Sequence, residues 1–378
     1  MTRTVTLLDR LVGFDTVSAR SNLEMVDFLS TFLHDLGFRL HRITAPCGTK
    51  AGLFAVLGPT GPGGALLSAH TDVVPTDGQV WQRPAFALSQ QGNRLYGRGT
   101  TDMKGFIAAM LALAERASRI PLRRPLKLSL SYDEEIGCVG MQHMIGGLEA
   151  AIGLPDLAII GEPTQMRVAT AHKGKWAITA RCHGQAGHSS LAPRFDNALH
   201  LASAFVQGLR QLQEDLARNG AQDAGFDIPY STVHVGMMQG GTALNIVPDM
   251  AQLIMEFRHP VADDSAALWA RLQALARRVS QGFGHGDIVL TVDNRYPGLA
   301  IDPAHPGVKK TLALADNGPP IKVAFGTEAG FFSQRGVPAV VCGPGNMEGQ
   351  GHKPDEYIER GQLVACDQML DRLLGDLT

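Results

Sequence analysis

Four short apolar runs govern what this chain can fold into: "GLFAVLG", "GALLSAHTD", "LKLSLSYDEE" and "DLAIIGEPT". Each has the length of a buried strand, and the last three run into acids or a histidine. A helical pattern, "GFIAAMLALAERA", lies between the second and third, and another, "SNLEMVDFLSTFLHDLGF", precedes them all and stops at Gly37. Strands separated by helices imply an α/β sheet with helices on both faces. In such sheets ligands bind beyond the carboxyl ends of the strands.

Almost all of the chemistry-bearing side chains fall at those ends. His70 and Asp72 follow "ALLSA", and Asp102 precedes the long helix in "GRGTTDMKG". Glu134 and Glu135 follow "LKLSLSY", Glu162 follows "LAIIG", and His352 comes after "AVVCGPG". Two imidazoles and several carboxylates, with no cysteine among them, suit zinc, cobalt or manganese rather than iron–sulfur or copper. The His-x-Asp spacing lets the Asp72 carboxylate accept a hydrogen bond from the non-metal nitrogen of His70. One shared carboxylate holds two ions about 3.5–4 Å apart, and Asp102, the only acid in its segment, is the natural bridge. Taken singly, each fragment has a plainer reading as a solvated turn or a surface histidine. Five separated segments converging on one sheet edge are not explained that way.

The adjacent glutamates pose a geometric condition. Neighbouring side chains on a strand point to opposite faces. Glu134 and Glu135 can share a site only if the strand ends at about Tyr132, with Gly137 easing the turn.

The middle of the chain changes character. "KWAITARCHGQ", "STVHVGMMQGG" and "AQLIMEFRHP" read as strands, while residues 196–216 and "SAALWARLQALARRVS" read as helices. This βαββα run predicts an inserted α+β domain over 177–290, with residues 1–176 and 291–378 forming the main domain. A chain of 378 residues is long for one core. Its 44% apolar and 19% charged residues are ordinary for a globular protein. A net charge of −2 without a basic stripe argues against nucleic acid. No apolar run is long enough to span a bilayer, and the N-terminus has no signal-type apolar core. Five scattered cysteines without CxxC spacing fit reduced thiols in a cytoplasm.

The blocks "SAHTDVVP", "NRLYGRGTTDMKG", "SLSYDEEIGCVG", "IIGEPT", "HKGK", "GQAGHSS", "GGTALNIVP", "EFRHP", "FGTEAGFF" and "CGPG…GHKPDE" run in order over residues 65–360. Through them the chain resembles the M20 metallopeptidases, and within them the acetylornithine deacetylase branch. The resemblance implies a zinc-exopeptidase-like catalytic domain, its mixed sheet flanked by helices, and an inserted ferredoxin-like domain for lid and dimerisation. It implies two zinc ions, with cobalt or manganese as substitutes, a homodimer, and a small N-acyl amino acid as substrate. His70 and Glu162 would hold one ion, Glu135 and His352 the other, and Asp102 both. Asp72 would orient His70, Glu134 would be the general base, and the Asp102–Met103 peptide would be cis. His188 matches the donor to the oxyanion, with His183 and His200 as weaker matches. Asn245 and Arg258 match positions that grip the substrate carboxylate, although Arg258 has alternative partners in Glu256 and Asp249. Glu328 stands where the desuccinylase branch has another residue. It either faces a cationic substrate side chain or caps the helix beginning at Ala329.

The implied reaction is hydrolysis of N2-acetyl-L-ornithine to ornithine and acetate, a step of arginine biosynthesis. Acetylcitrulline and succinyl-diaminopimelate are the alternative substrates. An inactive metal-binding scaffold is the alternative to an enzyme, and the intact Glu134 argues against it. Because His188, Asn245 and Arg258 lie on the insertion, domain closure is expected.

Overall fold

The run "ALLSAH" forms a strand, Ala65–His70, buried along its whole length. It lies inside a nine-stranded mixed sheet of the computed structural model, which describes residues 2–378. Parallel neighbours flank it, Leu126–Ser131 on one side and Leu157–Pro163 on the other. Ala339–Gly343 extends the parallel set beyond Leu157–Pro163. These four strands point the same way, so their carboxyl ends share one edge. Antiparallel strands Ala51–Leu57 and Arg39–Thr44 continue the sheet on one side. Ala169–His172, with Leu299–Ala300 and Ile321–Val323 beside it, continues it on the other.

Alternation along the strands divides labour between the two faces. Leu67, Ala69, Leu128 and Leu130 point one way into the main core, where the helices Lys104–Ala117 and Arg360–Gly375 supply Phe106, Met110, Leu363 and Met369. Each such fully buried side chain is worth about 1.5–3 kcal/mol of transfer free energy. The opposite face carries Ser68, His70, Ser129 and Ser131, all buried. Ser68 Oγ lies 3.5 Å from Glu328 Oε2 and Ser131 Oγ donates to the Ala69 carbonyl at 3.5 Å, while Ser129 Oγ has no hydrogen-bond partner.

The chain divides into two compact units. The larger comprises the segments up to His172, Leu299–Val323 and Thr327–Thr378. The smaller comprises Lys173–Gly298 and Ala324–Gly326. Its antiparallel sheet has the order Thr232–Gly240, Met250–His259, Gly174–His183, Asp287–Tyr296. The helices Ala198–Asn219 and Ser265–Ser280 cover it, around a core in which Trp176 stacks on Phe257 at 5.3 Å and on Trp269 at 5.8 Å. The last strand, Asp287–Tyr296, goes beyond the βαββα run read from the sequence and completes a ferredoxin-like βαββαβ order. Its exposed side chains include Asp287, Asp293 and Arg295, and that polar face hides the strand from a search for apolar runs. With Gly174–His183 it reaches past residues 177 and 290. Among the described residues no helix is long and apolar enough to cross a membrane.

Candidate active site

His70 closes its strand, and its ring is 1% exposed. Nδ1 lies 2.9 Å from the backbone carbonyl oxygen of Asp72. The Asp72 carboxylate is farther, with Oδ1 at 3.5 Å. The expected carboxylate-to-imidazole bond is thus taken mainly by a carbonyl two residues on. A carbonyl only accepts, so Nδ1 carries a proton and Nε2 is the nitrogen left to face the site. Nε2 meets Asp102 Oδ1 at 3.1 Å and Glu162 Oε1 at 3.7 Å.

The Asp72 carboxylate has other work. It accepts from Ser18 Oγ at 2.7 Å, from the Glu134 N–H at 3.1 Å and from the Glu135 N–H at 3.3 Å. It therefore pins the turn that carries both glutamates. That turn begins after Ser131, where the strand ends, so the two glutamates escape strand alternation. Asp133 enters it at φ 55°, its carboxylate paired with Lys50, which also donates to the Ser18 carbonyl. Gly137 continues it at φ 106°. Gly140 closes it with an N–H to the Tyr132 carbonyl at 3.0 Å. A Cβ there would lie 2.0 Å from that oxygen, so only glycine fits.

Asp102 lies between the two histidines. Its Oδ1 faces His70, and its Oδ2 faces His352 Nε2 at 3.3 Å. His352 Nε2 is also 3.0 Å from Glu135 Oε2. Two trios result, His70–Asp102–Glu162 and Asp102–Glu135–His352, each with ligand atoms within 4.8 Å of one another. Asp102 is common to both, and the Asp102–Met103 peptide is cis. The Oε1 atom of Glu135 is buried without a hydrogen-bond partner. An orphaned carboxylate oxygen beside two imidazole–carboxylate trios fits a pair of cations.

Electrostatics agrees with that fit. Burial pushes the carboxyls of Glu134 and Glu162 well above the ordinary range, and neighbouring acids push them further. Glu135 rises to about 7 for the same reasons. Burial alone would lower His70, but Asp102 and Asp72 raise it well above its usual value. Asp102 and Glu135 raise His352 to about 10. So many buried carboxylates repel one another, and cations between them relieve that repulsion. Glu134 belongs to neither trio, and its Oε1 accepts from the buried Cys138 thiol at 3.3 Å.

Glu328 makes no side-chain cap on the helix that begins at Ala329. It is 1% exposed, with Oε2 3.5 Å from Ser68 Oγ, so it lies against the serine-lined face of the sheet. The helix Ala329–Gln334 is capped instead by Thr327, whose Oγ1 accepts the Ala329 N–H at 3.0 Å. Burial raises its carboxyl to about 7, and its charge acts on Glu134.

The remaining expected residues belong to the smaller unit. His188 and Asn245 come together, because Gly187–His188 pairs with Ile246–Val247 and the Ser189 N–H donates to the Asn245 carbonyl at 3.1 Å. Both residues are exposed. The His188 ring is oriented by Ser190, with Nδ1 2.8 Å from Oγ. Arg258 projects from Met250–His259, and its Nε donates to Glu256 at 2.8 Å.

Sequence reasoning missed Ser18, Lys50, Arg98 and Glu356, which support the site from behind. Glu356 had a signal: it is the second of two acids in "HKPDE", the motif that contains His352.

The fold and this cluster define a class: an α/β protein whose carboxyl sheet edge has room for a dinuclear centre with oxygen and nitrogen ligands. The chain matches the model of Peptidase family M20/M25/M40 over residues 66–376. It is 33% identical over 373 residues to an acetylornithine deacetylase of Myxococcus xanthus, covering 97% of this chain and 96% of the relative. It is 35% identical over 345 residues to an acetylornithine deacetylase of Shigella sonnei, covering 90% and 87%. Its fold is similar to an M20 family metallo-carboxypeptidase from Sulfolobus solfataricus, with a TM-score of 0.79, 18% identity and 99% of each chain covered. It is also similar to a dinuclear metal-binding M20 peptidase from Bacillus subtilis, with a TM-score of 0.70, 15% identity and 99% and 98% covered. The chain belongs to peptidase family M20/M25/M40.

Proposed function

We propose that this chain is a dinuclear-metal amide hydrolase that removes the acetyl group from N2-acetyl-L-ornithine, yielding ornithine and acetate for arginine biosynthesis. The observation that carries the chemistry is the division of Asp102, one oxygen toward His70 and the other toward His352, with Glu134 left outside both trios. His70, Asp102 and Glu162 would hold one ion, and Asp102, Glu135 and His352 the other. Zinc suits this donor set, and cobalt or manganese can substitute. The bound ions supply Lewis acidity and lower the pKa of water, toward about 7 at a single catalytic zinc.

The chain's own groups do the rest. Glu134 accepts a proton from the attacking water on its carboxylate and returns it to the departing amine. Its burial, which favours the protonated form, suits a group that must hold a proton in transit. The Cys138 thiol fixes the orientation of that carboxylate. His188, held by Ser190, donates to the developing oxyanion. Asn245 and the Arg258 guanidinium hold the α-carboxylate of the substrate. The choice of substrate is supported by the names of the relatives at 33–35% identity. We further propose a cytoplasmic homodimer formed through the smaller unit, which serves as the lid.

The deciding experiment assays acetylornithine, acetylcitrulline, acetylmethionine and succinyl-diaminopimelate side by side, before and after chelation and zinc reloading. Acetylornithine should give the highest kcat/KM, and chelation should abolish turnover. Another acylated amino acid in first rank would move the substrate assignment. A protein that binds no metal and cleaves none of the four would be a scaffold.

A further inference from the structure

We infer that Glu356 is a positioning residue of the centre, holding Asp102 directly and the His352 backbone through Arg98 and Gln79. The inference rests on the reading of Asp102 and His352 as metal ligands.

Glu356 is fully buried, yet its carboxylate is a member of neither trio. Its Oε1 accepts the Thr101 N–H at 2.7 Å and the Asp102 N–H at 3.1 Å. Its Oε2 accepts the Gly99 N–H at 2.9 Å and Arg98 Nη1 at 2.8 Å. One carboxylate thus binds three backbone donors of the loop that presents Asp102. Those N–H groups are cut off from water and belong to no helix or strand, so without Glu356 they would be unpaired.

The network continues to the other ligand. Arg98, 1% exposed, donates from Nη1 to the Lys353 carbonyl at 3.2 Å and from Nη2 to Gln79 Oε1 at 2.6 Å. Gln79 Nε2 then donates to the His352 carbonyl at 2.8 Å. A chain of bonds runs from the Asp102 amide to the His352 carbonyl. The His352 side chain is 53% exposed, so packing does little to fix it. An exposed ligand with a left-handed backbone, φ 62°, must be aimed by what holds its main chain. A buried Arg98–Glu356 ion pair is not in itself a reason for stability, but located here it couples two ligand loops 250 residues apart in sequence, residue 102 to residue 352.

The test measures zinc affinity by competition with a chromophoric chelator on the full chain, with circular dichroism as the check of folding. Glu356→Gln should weaken both zinc equivalents by about 10–100-fold, because Asp102 is common to the two trios. Gln79→Ala, at a partly exposed position, should weaken one equivalent by about 10-fold and leave the other unchanged. Wild-type affinity for both equivalents in a folded Glu356→Gln protein overturns the inference. If that variant does not fold, Gln79→Ala decides: unchanged affinities, or equal loss of both, overturn the inference. An Asp102→Asn protein that keeps both equivalents at wild-type affinity would instead overturn the ligand reading, and the inference with it.

Discussion

Asp72 holds Glu134 in place: its Oδ1 accepts the Glu134 backbone N–H at 3.1 Å, across 62 residues of sequence. Its Oδ2 does the same for Glu135 at 3.3 Å. The residue expected to orient a histidine therefore also sets the turn in which one glutamate joins a metal trio and its neighbour stays out.

Asp72→Ala should therefore harm more than His70. It leaves the Ser18 hydroxyl and two backbone N–H groups without their acceptor. We expect zinc affinity to fall by about 10–100-fold and the chelator-stripped protein to lose about 1–3 kcal/mol. Chelator competition and urea unfolding measure the two effects. Unchanged metal affinity would show that the turn holds its shape without Asp72.

Glu134→Gln keeps the size of the side chain and leaves both trios intact. It should bind metal like wild type while kcat falls by about 10²–10⁴-fold. Metal content and steady-state rates on acetylornithine are the measurements. A variant that keeps most of its turnover would remove Glu134 from the role of base.

His188→Ala should lower kcat more than it raises KM, since a donor to an oxyanion acts mainly on the transition state. A rise confined to KM would move His188 to substrate binding.

Glu328 gives a pH prediction. Its carboxyl titrates at about 7 in the folded chain against an ordinary 4.5, burial being the cause. Between those values the unfolded chain has lost a proton that the folded chain retains. Stability is therefore lost as pH rises through this window, and the cost is complete above about pH 7. Glu328→Gln removes the cost. In chelator-stripped protein the variant should gain up to about 3 kcal/mol over wild type at about pH 8 and almost nothing at about pH 4.5. Urea unfolding at the two pH values reads the difference, and an equal effect at both would refute the buried-acid account.

The two faces of the Glu328 problem illustrate what could be read in advance. Its position beside a helix start was legible, because Ala329–Gln334 begins where the sequence pattern puts it. Its side-chain direction was not, because that depends on Ser68, 260 residues away. The strand Asp287–Tyr296 escaped for a different reason: Val289 on the exposed face and Asn294 on the inward one break the alternation. Ser18 and Lys50 carry no motif of their own, and they matter only through partners brought near by folding.

What the sequence by itself determined is the sheet and the chemical character of its edge. Short apolar runs must be buried, polar residues at their carboxyl ends must then emerge together, and His70, Glu135 and Glu162 follow from that, while Asp102 precedes a helix and His352 lies past a short helix beyond its strand. Tertiary structure alone decided how each is aimed: which oxygen of Asp102 faces which imidazole, which carbonyl fixes His70, and which buried acid holds the loops. Burial is a property of a local pattern and can be read along the chain. Orientation depends on hydrogen bonds between segments far apart in sequence, and these exist only once the chain has folded.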